Sequence, residues 1–322
     1  MPFAFCSIDE VHSGDAFSVF LRVTTALNFV YLLVYRVYLV LKKHVIAPAF
    51  RRWPHAEARF NGAKAFLKRR VLPSRTSWVQ VQSGFARGLW MRLRIPEEAG
   101  FWRGEHEPGV QSAITAMVRP GDVVYDVGAH LGSLTLGAAR LVGASGRVVA
   151  FDADPENVER LGENIQRNQF GSCIQAIHTA VWSRRSEAGI SFRRGKNQTS
   201  QGGVESDGQH PVLAKGEIIS VPVTTFDDFV TRGGPVPQLV KIDVEGGEYE
   251  VLCGGAGVFA KHRPLIIAEV HHQQAADSIK AWLEEFRYAA EWRIPKENFP
   301  RCLFAWPVER LRPALSTSEA TE

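Results

Sequence analysis

From Val123 onward the chain alternates short apolar runs with stretches whose apolar residues recur every three or four positions. That is the pattern of buried parallel strands interleaved with amphipathic helices. Strands are predicted at 123–127, 147–151, 174–181, 239–243 and 264–270, with helices at 131–141, 155–168, 248–252 and 275–286. Asp154 followed by Pro155 is sound chemistry for a helix start, a capping carboxylate before a residue pre-set for the first turn. Segments 289–294 and 302–306 read as an antiparallel hairpin closing one edge of the sheet. This order predicts an α/β fold with a doubly wound, Rossmann-like sheet.

The first 75 residues follow a different pattern. Residues 17–41 are apolar and aromatic, with Arg22, Thr25, Arg36 and Lys43 falling within a sector of roughly 60° at 100° per residue. A helix with one narrow polar stripe is predicted, and with it an N-terminal helical extension. Its longest uncharged stretch, Val23 to Tyr35, is 13 residues, short of the ~20 needed to cross a bilayer. Two further readings stay open, a helix lying in a membrane interface and one packed on protein. An acidic leader (Asp9, Glu10, Asp15) argues against a secretory signal.

Charge sharpens this division. Residues 1–75 hold 12 Lys and Arg against 4 Asp and Glu, while the remainder hold 26 against 30. A basic arm on an acidic body points to the arm, residues 17–75, as the part that meets an anionic surface such as lipid headgroups. No aromatic residues interleave with the basic ones in a docking motif, so nucleic acid is not an expected partner. Four widely spaced cysteines (Cys6, Cys173, Cys253, Cys302) suggest neither a zinc site nor a disulfide framework. A reduced, cytoplasmic setting fits them, with the arm allowing a peripheral membrane location. The expected domains are residues 1–75, a catalytic body at 76–315 and a disordered tail at 316–322. Within the body, the polar, Gly-rich insertion 195–216 separates strands expected at 189–193 and 218–223, and reads as either a lid or a variable surface loop. The sequon at Asn197 is taken as incidental.

Chemistry concentrates at three predicted strand ends. In Tyr125-Asp126-Val127-Gly128-Ala129-His130-Leu131-Gly132, a strand enters a Gly-containing turn and then a helix, which lets a ligand approach the backbone. A dinucleotide site would carry glycine where Asp126 stands, and that carboxylate would repel a pyrophosphate. It suits a cationic ligand instead, and S-adenosylmethionine has an ammonium, a sulfonium and no phosphate. Asp152 ends the second strand, where a carboxylate can accept two ribose hydroxyls. Lys241, Asp243 and Glu245 share one side of the fourth strand by alternation, and Glu269 and His271 reach the same edge from the fifth. Asp243 is the first candidate on the acceptor side, with Glu245, Glu269 and His271 behind it. Carboxylates there could also hold Mg²⁺ against a diol, but the ligand set cannot be counted from sequence, so no metal is assigned.

The runs VYDVGAHLG, FDADP, VTTFDDF and LVKIDVEGGEYEVLCGG, taken in order, resemble the FkbM family of S-adenosylmethionine-dependent methyltransferases over residues 101–306. So does the earlier phrase Gly104-Glu105-His106-Glu107-Pro108, where Glu107 occupies a recurrent glutamate. His130 stands where Asn is commoner, and Asp152 where Glu is usual. The resemblance implies a class I methyltransferase sheet of seven strands with one antiparallel. It implies S-adenosylmethionine as cofactor, held by Glu107, Asp126, Gly128, His130, Gly132 and Asp152. Asp243, Glu245 and His271 are the catalytic candidates. The implied acceptor is a hydroxyl of a sugar, glycolipid or secondary metabolite. An N-methyltransferase is less well matched, because Asp243-Val244-Glu245-Gly246 lacks the two prolines usual at that turn. An inactive membrane-tethered binding module is the reading from outside the enzymes.

Overall fold

The computed structural model describes residues 75–194, 203–204, 217–293, 299–311 and 313, with seven positions between 33 and 44. The chain forms two compact units, one of Met1–Ser77 with Arg94–Glu97 and one of Trp78–Leu93 with Glu98–Glu322. In the first, Leu33, Val34, Val37, Val40 and Leu41 are helical and exposed. The rest of the predicted helix at 17–41, residues 45–74 of the basic arm, most of the insertion with its sequon, and the tail lie outside the described residues. Among the described residues no helix is long and apolar enough to cross a membrane.

The second unit is built on a seven-stranded sheet. Two strands paired with each other, β1 (Arg75–Gln80) and β2 (Trp90–Ile95), come first in the chain, followed by helices α1 (Ala99–Arg103) and α2 (Pro108–Met117). Then β3 (Val123–Val127), α3 (Ser133–Val142), β4 (Arg147–Asp152), α4 (Pro155–Arg167) and β5 (Ile174–His178) form one half of the winding. The other half is β10 (Leu239–Ile242), α6 (Glu248–Cys253), α7 (Ala256–His262), β11 (Leu265–Val270), α8 (Gln273–Glu285), β12 (Tyr288–Arg293) and β13 (Arg301–Pro307). Strand order is β12-β13-β11-β10-β3-β4-β5, with β3, β4, β5, β10 and β11 mutually parallel. β13 runs antiparallel to both its neighbours. One antiparallel strand in seven is the expected class I methyltransferase arrangement, with the hairpin at the sheet edge.

The central strands are near-continuous apolar runs because helices cover both faces of a doubly wound sheet. Tyr125, Val127, Val149, Phe151, Val240, Ile242, Ile266 and Ala268 form one core cluster, each at most 1% exposed. Burial of each large apolar side chain here contributes about 1.5–3 kcal/mol. A buried fork adds rigidity beside α4, where Arg160 Nη1 and Nη2 donate to Glu98 Oε1 (2.8 Å) and Oε2 (2.6 Å).

One expected strand, 174–181, is two. After His178 the Thr179 N–H donates to Asp152 O, and the chain leaves the main sheet. Ala180–Val181 (β6) pairs instead with Ile218–Thr224 (β9), which follows Ser186–Arg193 (β7) and Gly203–Val204 (β8) in a second sheet ordered β6-β9-β7-β8. Helix α5 (Phe226–Thr231) then leads back to β10. The apolar run carries no turn residue, so its pattern does not reveal the change of partner.

Register decides what meets at the functional edge. Val127 lies level with Ile242 and Phe151, and Ile242 with Ala268. One residue further on, Gly128, Asp243, Asp152 and Glu269 therefore emerge side by side where parallel sheets bind ligands.

Candidate active site

The turn after β3 is shaped by glycine and tied down by its neighbours. Gly128 has φ +78, and a Cβ there would stand 1.7 Å from Asp243 O. Gly132 has φ +83, and its Cβ would meet Leu161 Cδ1 at 2.2 Å. Gly128 N and Ala129 N both donate to Phe151 O, while Leu131 O accepts from Asn164 Nδ2 at 2.9 Å. His130, itself left-handed with φ 51, donates its N–H to Asp152 Oδ2 at 2.7 Å. Asp152 Oδ1 accepts from Asp154 N (2.9 Å) and Asn157 Nδ2 (3.2 Å). The Asp152 carboxylate thus already knits the two strand ends together, and burial raises its pKa. Asp154 is the expected cap, accepting from Glu156 N, and it also receives a fork from Arg194.

Asp126 is 2% exposed. Its Oδ2 accepts from Thr135 Oγ1 at 2.5 Å, and its Oδ1 has no hydrogen-bond partner. Burial raises its pKa, against the pull of the Lys241 ammonium 3.7 Å away. Glu107 caps α2 from a left-handed conformation (φ 47), pairing through Oε1 with His106 Nε2 at 2.5 Å. Its Oε2 is enclosed and accepts nothing. Burial would raise this carboxyl, yet Lys241 and the His106 hydrogen bond bring it down to about 2. Two enclosed acceptor oxygens without donors fit an ammonium, which is the group S-adenosylmethionine would bring to this side.

Lys241 joins this half to the other. Although 3% exposed, its Nζ donates to Asp243 Oδ2 at 3.2 Å. Burial would lower its pKa, but Asp243, Asp126 and Glu107 hold it above its ordinary value, so it stays charged. Asp243 Oδ1 lies 3.6 Å from His271 Nε2, and Glu245 Oε2 lies 3.2 Å from the same nitrogen. On its far side His271 Nδ1 meets Glu248 Oε1 at 2.9 Å, and that oxygen also accepts from Gly246 N. Burial would lower the imidazole pKa, but the Glu248 hydrogen bond and the surrounding carboxylates raise it to about 9. Burial pushes Glu245 up to about 8, and burial with repulsion from Asp243 and Glu107 pushes Glu269 up to about 7.

All the expected site residues therefore occupy one edge, but the route to this differs from strand alternation. β10 ends at Ile242, so alternation does not govern Glu245; a left-handed turn residue, φ 58, carries it to His271. Glu107, His130 and Glu245 all hold positive φ without being glycine, the kind of backbone strain that collects at functional sites.

The sequence model of the methyltransferase FkbM domain matches residues 126–290, just over half of the chain. The chain belongs to the FkbM methyltransferase family. It is accordingly an S-adenosylmethionine-dependent methyltransferase. Among its relatives are a hexuronic acid methyltransferase, AglP, of Haloferax volcanii, 26% identical over 66% of this chain and 87% of that protein. The 31-O-demethyl-FK506 methyltransferase FkbM of Streptomyces tacrolimicus is 28% identical over 49% of this chain and 69% of that one. A solved FkbM methyltransferase from Methylobacillus flagellatus is 17% identical with a TM-score of 0.43, covering 58% of this chain and 44% of that one.

Two participants of this FkbM-family site were not singled out as site residues from the sequence. Glu248 is fully buried and holds His271 from 23 positions away; Thr135 holds Asp126 from the first turn of α3. The pairing of Glu248 with His271 depends on β10 and β11 lying side by side, which spacing alone does not encode.

Proposed function

We propose that this methyltransferase transfers a methyl group to a hydroxyl oxygen of a sugar-type acceptor, a free sugar, glycolipid or glycosylated metabolite. The observation that carries this reading is the convergence of Asp243, Glu245 and His271 at the ends of β10 and β11, one buried lysine away from Asp126. When bound, S-adenosylmethionine supplies a methyl group on a sulfonium, already activated for displacement. Asp126 and Glu107 would take its ammonium, Asp152 its ribose, and Gly128, His130 and Gly132 would shape the turn against which it lies. Asp243, whose Oδ1 makes no hydrogen bond, would accept the hydroxyl proton as the methyl arrives, with Lys241 holding the carboxylate through Oδ2 and the His271 imidazole beside it. The Haloferax relative, a hexuronic acid methyltransferase, supports a carbohydrate acceptor.

The test has two stages. S-adenosylhomocysteine titrated calorimetrically into the folded protein should bind, and Asp126→Ala and Asp152→Ala should each weaken it by about 10-fold or more, the scale of one charge-assisted hydrogen bond. Labelled methyl transfer to uronic acids, neutral sugars and glycolipids should then give a base-stable ether. A base-labile ester would move the acceptor to a carboxylate, and no cofactor binding by folded protein would remove the reading. For the basic arm, residues 17–75, we propose contact with an anionic membrane surface, at the cytoplasmic face. Sedimentation with phosphatidylserine vesicles should fall when residues 1–75 are deleted, and unchanged sedimentation would refute it.

A further inference from the structure

Resting on the methyl-transfer reading of the same edge, we propose that Asp243, Glu245 and His271 hold a divalent cation of the Mn²⁺ class, on which the oxygen of the acceptor sits; Asp243 is then a ligand, and the hydroxyl acidified by the cation gives its proton to water. The first support is the spacing of the three donor atoms. His271 Nε2 stands 3.2 Å from Glu245 Oε2 and 3.6 Å from Asp243 Oδ1, and one ligand atom from each residue lies within 4.8 Å of the others. Ligands at right angles around an ion at about 2.1–2.4 Å are about 3.0–3.4 Å apart, close to these separations.

The second support is that two of these atoms lack a hydrogen bond. His271 Nε2 and Asp243 Oδ1 are both enclosed by protein, and neither makes a hydrogen bond. A buried polar atom left unsatisfied is costly, and two of them facing a shared point are accounted for together by one cation. Glu107, whose Oε2 is also enclosed and unbonded, belongs to a second set with Asp243 and Glu269, one carboxylate oxygen from each again lying within 4.8 Å of the others. It places a further carboxylate beside the shared ligand Asp243.

A third support is the setting of the histidine. The fully buried Glu248 meets Nδ1 at 2.9 Å, and Gly246 N–H holds the same Glu248 oxygen. A carboxylate on the far nitrogen is what fixes the tautomer and orientation of a metal-ligating imidazole, with Nε2 directed at Asp243 and Glu245 and giving up its proton when the ion binds. Glu248 is then a positioning residue. Charge points the same way. Six carboxyls, Glu107, Asp126, Asp243, Glu245, Glu248 and Glu269, lie around two cationic side chains, Lys241 and His271, an excess of acidic groups that a divalent cation offsets. One imidazole and two carboxylates, with positions open to water or a hydroxyl, suit Mn²⁺ better than the thiolate-rich or all-histidine sets of other ions.

The experiment is titration of Mn²⁺ into metal-stripped full-length protein, followed by loss of the free-ion paramagnetic resonance signal, with S-adenosylhomocysteine binding measured in parallel. One Mn²⁺ per chain is expected. His271→Gln should weaken it at least 10-fold, and Glu248→Gln by about 10–100-fold, the range for outer partners of metal ligands. Both variants should still bind S-adenosylhomocysteine, which shows that they are folded; if His271→Gln does not fold, Asp243→Asn replaces it. S-adenosylhomocysteine binding without Mn²⁺ binding overturns the cation and leaves the methyl-transfer reading standing. Equal Mn²⁺ affinity in wild type and variants also overturns it, by placing the ion elsewhere. Failure of the folded wild type to bind S-adenosylhomocysteine is the separate outcome that removes the methyl-transfer reading itself.

Discussion

Gly128→Ala tests whether the cofactor turn and the acceptor strand are mechanically one piece. A Cβ at position 128 would lie 1.7 Å from Asp243 O, a backbone atom that no rotamer change can move. Relief to even a strained contact of about 3.0 Å needs an opening of about 1.3 Å between β3 and β10. That opening works against the hydrogen bond from Asp243 N to Val127 O (3.0 Å), which joins the two strand ends. The left-handed φ adds about 1–2 kcal/mol for any residue with a Cβ. With the clash, a total loss of about 3–5 kcal/mol is expected, in the range reserved for strain and overpacking in a core. Because the displaced carbonyl belongs to Asp243, turnover should fall by about 100-fold, the scale of a 1 Å misplacement. Urea denaturation and a methyl-transfer assay read the two effects. Gly162→Ala is the control: it lies in α4 with nothing within 4 Å of its added Cβ, and should stabilise by about 0.4–1 kcal/mol. If Gly128→Ala stays within about 1 kcal/mol of wild type with full turnover, the close approach of β3 and β10 is not what fixes the site.

Three other expectations follow from buried charge. Glu98→Ala strands the guanidinium of Arg160, whose side chain is 9% exposed, and should cost about 3–5 kcal/mol in chemical denaturation; a cost under 1 kcal/mol would show that water reaches Arg160. Lys241→Met leaves Asp126 and Asp243 facing each other as buried carboxylates, with a loss of similar size at neutral pH. Since the pKa of folded Asp126 is already raised, its ionised form is what burial penalises, so stability of this variant should recover as pH falls; a deficit independent of pH would contradict the assignment. Glu107 runs in the opposite direction. Its carboxyl is held at about 2 from an ordinary 4.5, so its contribution is full above pH 4.5 and lost as pH falls from 4.5 towards 2, and Glu107→Gln should flatten that part of the acid-unfolding curve.

The central strands were legible because burial on both faces leaves little room for polar residues within β3, β4, β10 and β11, while a ligand edge demands them at the ends. Asp126, Asp152 and Asp243 stand where that contrast is sharpest. The hairpin was legible for the same reason at the sheet edge. The change of sheet at Thr179 was not, since Ala176, Ile177, Ala180 and Val181 suit either partner. Short helices such as Ala256–His262 also escaped, being too brief for a period to declare itself. Alternation grouped Lys241, Asp243 and Glu245 by a rule that ceases to apply at Ile242; the grouping survives because Glu245 turns through φ 58 and His271 arrives from β11.

The position of Lys241 gives that grouping its logic. A parallel register sets it level with Asp126 on the neighbouring strand, and from there its ammonium reaches Asp126 on one side and Asp243 on the other. Without a shared cation, carboxylates so close and so buried would drive each other towards the neutral form. With it, the two carboxylates are held on either side of one ammonium, and on the proposed reading Asp126 would meet the cofactor while Asp243 serves the acceptor. Burying a lysine in an apolar strand costs its desolvation, and the same lysine fixes the ends of β3 and β10 relative to each other, which is what the proposed methyl transfer between them would require.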